Sequence, residues 1–382
     1  MSSIWDVVLT EFNAGAATPQ FPGVKAHWAL LIEEKIKQVA DLSGAPLIVY
    51  ASACTVPAGK GVSELLAIDL SDKIGFHSML EDVSGPKLDV LIHSPGGFAE
   101  PTEAIVEEIR SKFGFVRFIV PSFAKSAATM MAMSGDQILM DEHAELGPID
   151  PQMSTRNGNV AADAIRQQLK KASDEILADP KKAQVWFPIL QMLGPGLLSQ
   201  CDNASKLSKD LVTNWLTKYM FRGVPDGSAK ASTVADYLSD HPSFLSHGRR
   251  VTLDQLQQRD VSAVNLRDDP SFYKAVWELY CTIDIILSNT PAYKIFYNSS
   301  KTAMIRNNVQ GGSIQLLNMP FPRPNFPMPI PAPIPTMPAP EPAAPVPPLP
   351  TSVAPGATPV PAKAKRPGKA QRRPTGRSRK AR

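Results

Sequence analysis

Cysteine is scarce in this chain. Cys54, Cys201 and Cys281 are the only three in 382 residues, they lie far apart, and none forms a CxxC pair. That excludes a disulfide framework or a cysteine-based zinc site and points to a reducing compartment. Long apolar runs are absent as well: no stretch approaches the ~18 consecutive apolar residues of a spanning helix. The opening residues, MSSIWDVVLTEF, lack the basic start and apolar core of a secretory leader. A cytoplasmic protein with no membrane span is therefore expected. There is no GxxxxGK[ST] loop and no GxGxxG turn, so nucleotide binding has no support, and no motif calls for a cofactor or a metal. Acids are nearly missing from the C-terminal end. From Pro320 onward the chain carries eleven basic residues and one acid, Glu341, so this tail holds +10 and the rest of the chain −6, against +4 for the whole. The sequence pI near 8.8 thus describes the tail and not the body.

Hydrophobic residues make up 43% of the chain, enough for a sizeable core, and the 37 prolines gather near the C-terminus. Residues 1–22 read as a loose arm. Trp28, Leu31, Ile32, Ile36 and Val39 recur at helical spacing. Short apolar strands are expected at Pro46–Ala51, Lys87–His93, Val116–Val120 and Gln137–Met140. An amphipathic helix with proline in its first turn fits Pro101–Phe113. Ser126–Ser134 is small and apolar all round, which predicts a helix buried on every side. Strands alternating with helices imply βαβ units and a parallel β-sheet. Residues 23–159 would form this α/β core. Residues 160–317 turn helical, most clearly at Ala161–Leu177, Lys206–Tyr219 and Asp269–Leu287, and read as a helical extension of the same domain. Proline fixes φ and removes backbone donors, so 318–382 reads as a disordered, Pro-rich, basic tail.

Two of the expected strands run into turns of small residues followed by helices. Such turns lie at the carboxyl edge of a parallel sheet, where α/β proteins place their sites. The first, Ser94-Pro95-Gly96-Gly97, offers backbone N–H groups unobstructed by side chains, the type of donor that acyl transfer needs about 3 Å from a developing oxyanion. The second places Ser126 at the start of the apolar helix, where peptide N–H groups favour negative charge. Taken singly, the Gly-Gly pair equally suits an ordinary β–α turn and the serine an ordinary helix cap.

The stretch from Leu88 to Gln152 resembles the ClpP/crotonase superfamily and, within it, the serine dehydrogenase proteinase family, related to signal peptide peptidase A. The residues that carry this are HSPGG (93–97), AKSAAT (124–129) and ELGPIDPQ (145–152). Weaker likeness continues through WFPILQMLGPGLLSQCDNA (186–204), NWLTKYMF (214–221) and SHGRRV (246–251). The resemblance implies a ClpP/crotonase-like α/β fold and a serine peptidase acting on peptides or proteins. It implies Ser126 as nucleophile, Gly96, Gly97 and Ala127 as oxyanion donors, and a homo-oligomer.

The general base is not apparent in the sequence. ClpP-type enzymes have a histidine roughly 25 residues after the serine; that window here holds Asp150, a carboxylate able to orient a base or a water. Signal peptide peptidase A uses a lysine. Lys170, Lys171, Lys181 and Lys182 lie at suitable distances, but a lysine base needs desolvation to bring its pKa toward neutrality, and all four sit in polar surroundings. Lys125 points about 100° away from Ser126 on a helix. His143 precedes the LGPID turn and His93 the Gly-Gly turn; either also suits a structural role. His241 and His247, with Asp240 beside them, make a conceivable metal pair without an evident third ligand. Two other readings stand beside the hydrolase: a degenerate member serving as a peptide-binding scaffold, and an acyl-CoA enzyme of the crotonase branch. The basic tail is a candidate for weak contact with nucleic acid or acidic surfaces through phosphates.

Overall fold

A computed structural model describes residues 3–16, 26–56, 63–155, 158–194 and 196–308. The Pro-rich basic tail lies outside the described residues. The first half of the chain runs α1 (Ile4–Ala16), α2 (His27–Ser43), β1 (Leu47–Ser52), α3 (Asp72–Glu81), β2 (Lys87–His93), α4 (Ala99–Lys112) and β3 (Phe115–Val120). Next come β4 (Phe123–Ala124), α5 (Ala127–Met133), β5 (Gln137–Met140), β6 (Glu145–Leu146), β7 (Gln152–Thr155) and β8 (Gly158–Ala161). Helices follow: α6 (Ala162–Ala178), α7 (Ala183–Gln191), α8 (Leu197–Lys218), α9 (Gly227–Ser239), α10 (His241–Phe244) and α11 (Leu253–Gln257). The described chain closes with β9 (Ala263–Asn265), α12 (Pro270–Asn289), β10 (Ala292–Asn298) and β11 (Ala303–Asn307).

Seven strands form the main sheet in the order β11-β10-β1-β2-β3-β5-β9. The run from β1 to β9 is parallel; β10 pairs antiparallel with β1, and β11 antiparallel with β10. Both faces are covered, which is why β1 and most of β2 read as unbroken apolar runs. Ile48, Tyr50, Val90, Ile92, Phe118 and Val120 point to one face, packed under α3, α4, α5 and α8. Leu47, Val49, Ala51, Leu91 and Ile119 point to the other, under α2 and α12. This is the two-residue alternation of a strand.

Two expectations need correction. Residues 4–16, read as part of a loose arm, form a helix whose Val8 is buried with Cys281 and Ile285 of α12. Its apolar residues do not keep to one face, since Val8 is buried while Trp5 and Val7 are exposed, and it is α12 that selects the buried side. The region beyond residue 160 is not purely helical: β9, β10 and β11 complete the sheet. β9 is three residues long, and β10 carries a lysine in its middle, so neither has the apolar run that marks the earlier strands.

Candidate functional site

β2 ends at His93 and the chain turns through Ser94–Gly97. The Ser94 hydroxyl accepts the N–H of Gly96 at 3.2 Å. Gly96 has φ +93°, in the region that disfavours side chains. A Cβ there would collide with Lys125 O and stand 2.8 Å from Ser126 Cβ and 3.0 Å from Ala127 N. The Gly-Gly turn therefore lies directly against residues 125–127. Backbone bonds hold the two turns together: Lys125 N–H donates to Ser94 O at 3.0 Å, and Ser94 N–H to Phe123 O at 3.3 Å.

Ser126 sits between β4 and α5 with φ 50° and ψ −120°. A serine with positive φ is strained, and such strain persists only where its surroundings over-determine it. A strained strand-to-helix turn lifts a side chain clear of the helix and leaves its hydroxyl exposed. Ser126 is partly exposed, whereas every residue of α5 is buried. Among the described residues the N–H groups of Gly97 and Ala127 take no hydrogen-bond acceptor. Of the three donors expected from the sequence, Gly96 is the one already committed, to Ser94. What Gly96 contributes is its missing side chain.

The LGPID segment is fastened to the same helix. Thr129 donates its hydroxyl to Ala124 O at 2.7 Å and accepts Gly147 N–H at 2.9 Å. Lys125 turns toward this segment, donating to Leu146 O at 3.0 Å and pairing with Glu145 at 2.9 Å. Burial pulls the Lys125 pKa below the ordinary lysine range, the Glu145 pair works against that shift, and nearby Arg250 adds to it. Leu146 also pairs with Val251 in an antiparallel bridge.

Four residues before that bridge lies His247, which the loop brings to Asp150. Asp150 is buried, its side chain 3% exposed. Its Oδ2 accepts from His241 Nδ1 at 2.8 Å and from Gln152 Nε2 at 3.1 Å, and its Oδ1 accepts from His247 Nδ1 at 2.7 Å. The two histidines lie 91 and 97 residues after Asp150. Their shared partner is thus Asp150, and not the adjacent Asp240 that suggested a metal pair. Among the described residues no cluster of His, Cys, Asp or Glu has an arrangement able to hold a metal ion. The one sequence signal for His247 was its place in the SHGRRV stretch.

The remaining candidates fall elsewhere. Lys170 lies on the outer face of α6, 77% exposed and paired with Asp174 at 2.9 Å. It has none of the desolvation a lysine base requires. Lys182 is half exposed beside Glu175. His143 is 75% exposed, 3.5 Å from Glu142. His93 is buried among Phe123 and Tyr280, its Nε2 3.4 Å from the Cys54 thiol. Burial pushes its pKa down to about 4, so it stays neutral there.

The segment holds a serine on a strained turn, two peptide N–H groups without an acceptor among the described residues, and a buried carboxylate bonded to two imidazoles; acyl-transfer chemistry uses groups of these kinds. Residues 58–219 match the family of ClpP-like SDH-type serine proteinases. This is the family whose motifs the sequence resembles. Two uncharacterized proteins of Methanocaldococcus jannaschii are similar. One is 37% identical over 101 residues, covering 26% of this chain and 35% of its own length. The other is 33% identical over 100 residues, covering 26% and 34%. The matched segment thus spans about a third of each curated relative. Among solved structures, a mutant of a membrane-bound stomatin-specific protease aligns with a TM-score of 0.35 and 14% identity, covering 55% of this chain and 79% of its own. No described helix is long and apolar enough to cross a membrane.

Proposed function

We propose that this protein is a serine peptidase in which Ser126 attacks the scissile carbonyl of a peptide, and Asp150 with His247 forms the base that activates it. The observation that carries the reading is the strained Ser126 turn packed against Gly96. His Nδ1 donates to a carboxylate, which leaves Nε2 free to take a proton. Asp150 supplies that carboxylate to two histidines. His247 is favoured over His241 because it lies four residues before the Val251–Leu146 bridge. Arg250, on the same loop, is close enough to act on Lys125, the neighbour of Ser126.

In the proposed cycle Ser126 Oγ bonds to the carbonyl carbon while its proton passes to His247. The N–H groups of Gly97 and Ala127 hold the resulting oxyanion. The C–N bond then breaks, the leaving amine takes the proton from the imidazole, and water repeats the sequence on the acyl-enzyme. No cofactor enters. The substrate class, a peptide or protein, and assembly as a homo-oligomer follow from the family resemblance; light scattering on the purified chain measures the latter.

A fluorophosphonate probe with adduct mapping by mass spectrometry tests the reading. Wild-type protein is expected to carry one adduct on Ser126, and Ser126→Ala none. His247→Ala and Asp150→Asn should slow labelling about 10²–10⁴-fold, the usual range for loss of a general base, and His241→Ala much less. Folded wild-type protein without a Ser126 adduct would overturn the assignment.

A further inference from the structure

β10 carries a lysine in the interior. Lys294 is 0% exposed, as is its partner Asp72 at the start of α3. A buried ammonium is tolerated only when its protons are all taken. Lys294 Nζ donates to both oxygens of Asp72, at 3.0 and 2.8 Å, and to the carbonyl of Ala67 at 2.7 Å. Asp72 is held in turn by the Tyr50 hydroxyl at 2.9 Å, the Asp69 N–H at 3.2 Å and Arg306 at 3.2 Å.

The bond to Ala67 leads out of this cluster. The carbonyl of Ala67 and the N–H of Ile68 belong to one peptide group. Ile68 N–H donates to Gly96 O at 2.8 Å. The carbonyl of Gly96 and the N–H of Gly97 are again one peptide group. Phe98 N–H returns to Ile68 O at 2.9 Å, which fixes the register of the pair. Gly97 must be glycine for this approach, since a Cβ would collide with Ile68 N and O. A buried cation thus stands at the carbonyl end of two peptide groups aligned head to tail, and the N–H of Gly97, without an acceptor among the described residues, lies at the other end.

We propose that Lys294, held by Asp72, is a positioning residue that aims and polarises the Gly97 N–H as an oxyanion donor through the 67–68 and 96–97 peptide groups. The proposal rests on Gly97 N–H serving the oxyanion of Ser126. Hydrogen bonds in series strengthen one another by roughly 10–30% per bond. A positive charge at the carbonyl end draws electron density away from each N–H in turn. The donor is also held in place before the reaction, which is what gives such groups their effect.

The test is the rate of Ser126 phosphonylation by a fluorophosphonate in the full-length chain, resolved into reagent binding and the chemical step. Asp72→Asn keeps the shape of the site and removes the carboxylate that holds Lys294 charged against its burial, which drives the lysine toward its neutral form; Lys294→Met with Asp72→Asn removes both groups. Each should bind reagent as wild type does and lose about tenfold in the chemical step, and the Gly97 amide proton should move upfield in NMR spectra. Lys35→Met is the control, because it breaks a different buried pair, Lys35–Glu278 at 3.1 Å, between α2 and α12. It should lower the melting temperature and leave the chemical step alone. A folded double variant with the wild-type chemical rate and an unmoved Gly97 amide would overturn the proposal. If wild-type protein took no label at Ser126, the reading of Ser126 itself would fall instead.

Discussion

Helices α5 and α7 are both mostly apolar and have opposite surroundings. α5, AATMMAM, has all seven residues buried. α7, AQVWFPILQ, has none buried: Val185 is 68% and Phe187 61% exposed. The small residues of α5 let it sit between the Ser126 turn and helices α4 and α8, and its neighbours cover every side. α7 contains Pro188, which removes a helical hydrogen bond. It is fastened through Trp186 Nε1, which donates to Glu175 at 3.1 Å. Apolar composition therefore says that a helix is compatible with burial. Whether it is buried depends on what the chain folds over it.

Substitution on each side probes that contrast. Met131→Ala in α5 removes a fully buried side chain and should cost about 2–5 kcal/mol of unfolding free energy in urea melts. A smaller loss would mean that α5 repacks easily and does not hold the Ser126 turn rigid.

His93, buried at the same edge of the sheet, sharpens the buried side of the comparison through pH. Its folded pKa, about 4, lies below the ordinary value near 6.5. Between those values the unfolded chain binds more protons than the native one, so stability is fully present above about pH 6.5 and falls as the pH drops toward 4. The shift corresponds to about 3 kcal/mol. His93→Gln should flatten that part of the stability–pH curve, measured as urea midpoints at pH 7 and 4.5; an unchanged slope would assign the acid sensitivity to other groups.

The smallest effect is expected at α7. Val185→Ser with Phe187→Ser should change stability by no more than about 0.5 kcal/mol per site, because the side chains are already in solvent. Binding of a hydrophobic dye to the native protein should fall. A large loss of stability would show that α7 is covered in solution.

Much of the architecture was readable from periodicity. The strands at 87–93 and 137–140, the helix after Ser126 and the βαβ order follow from local apolar patterns that a covered parallel sheet requires. The strands β9 to β11 were not readable, because short strands and a strand with a central lysine lack that pattern. The same division runs through the site. Ser126 and the Gly-Gly turn were legible as turns, because strained turns demand particular small residues in particular places. Lys170 and His143 met the spacing but not the environment, since exposure is a property of the packed surface.

The amino-acid sequence by itself determined the α/β class, the two turns at the sheet edge and the uneven charge of body and tail. Each depends on residues close together in the chain. Only the tertiary structure decided that Asp150 meets His241 and His247, and that Lys294 reaches Ala67 from more than two hundred positions away. Carboxylate–imidazole and ammonium–carbonyl pairs of this kind have no fixed spacing, because the bond is formed by whichever elements the sheet brings side by side.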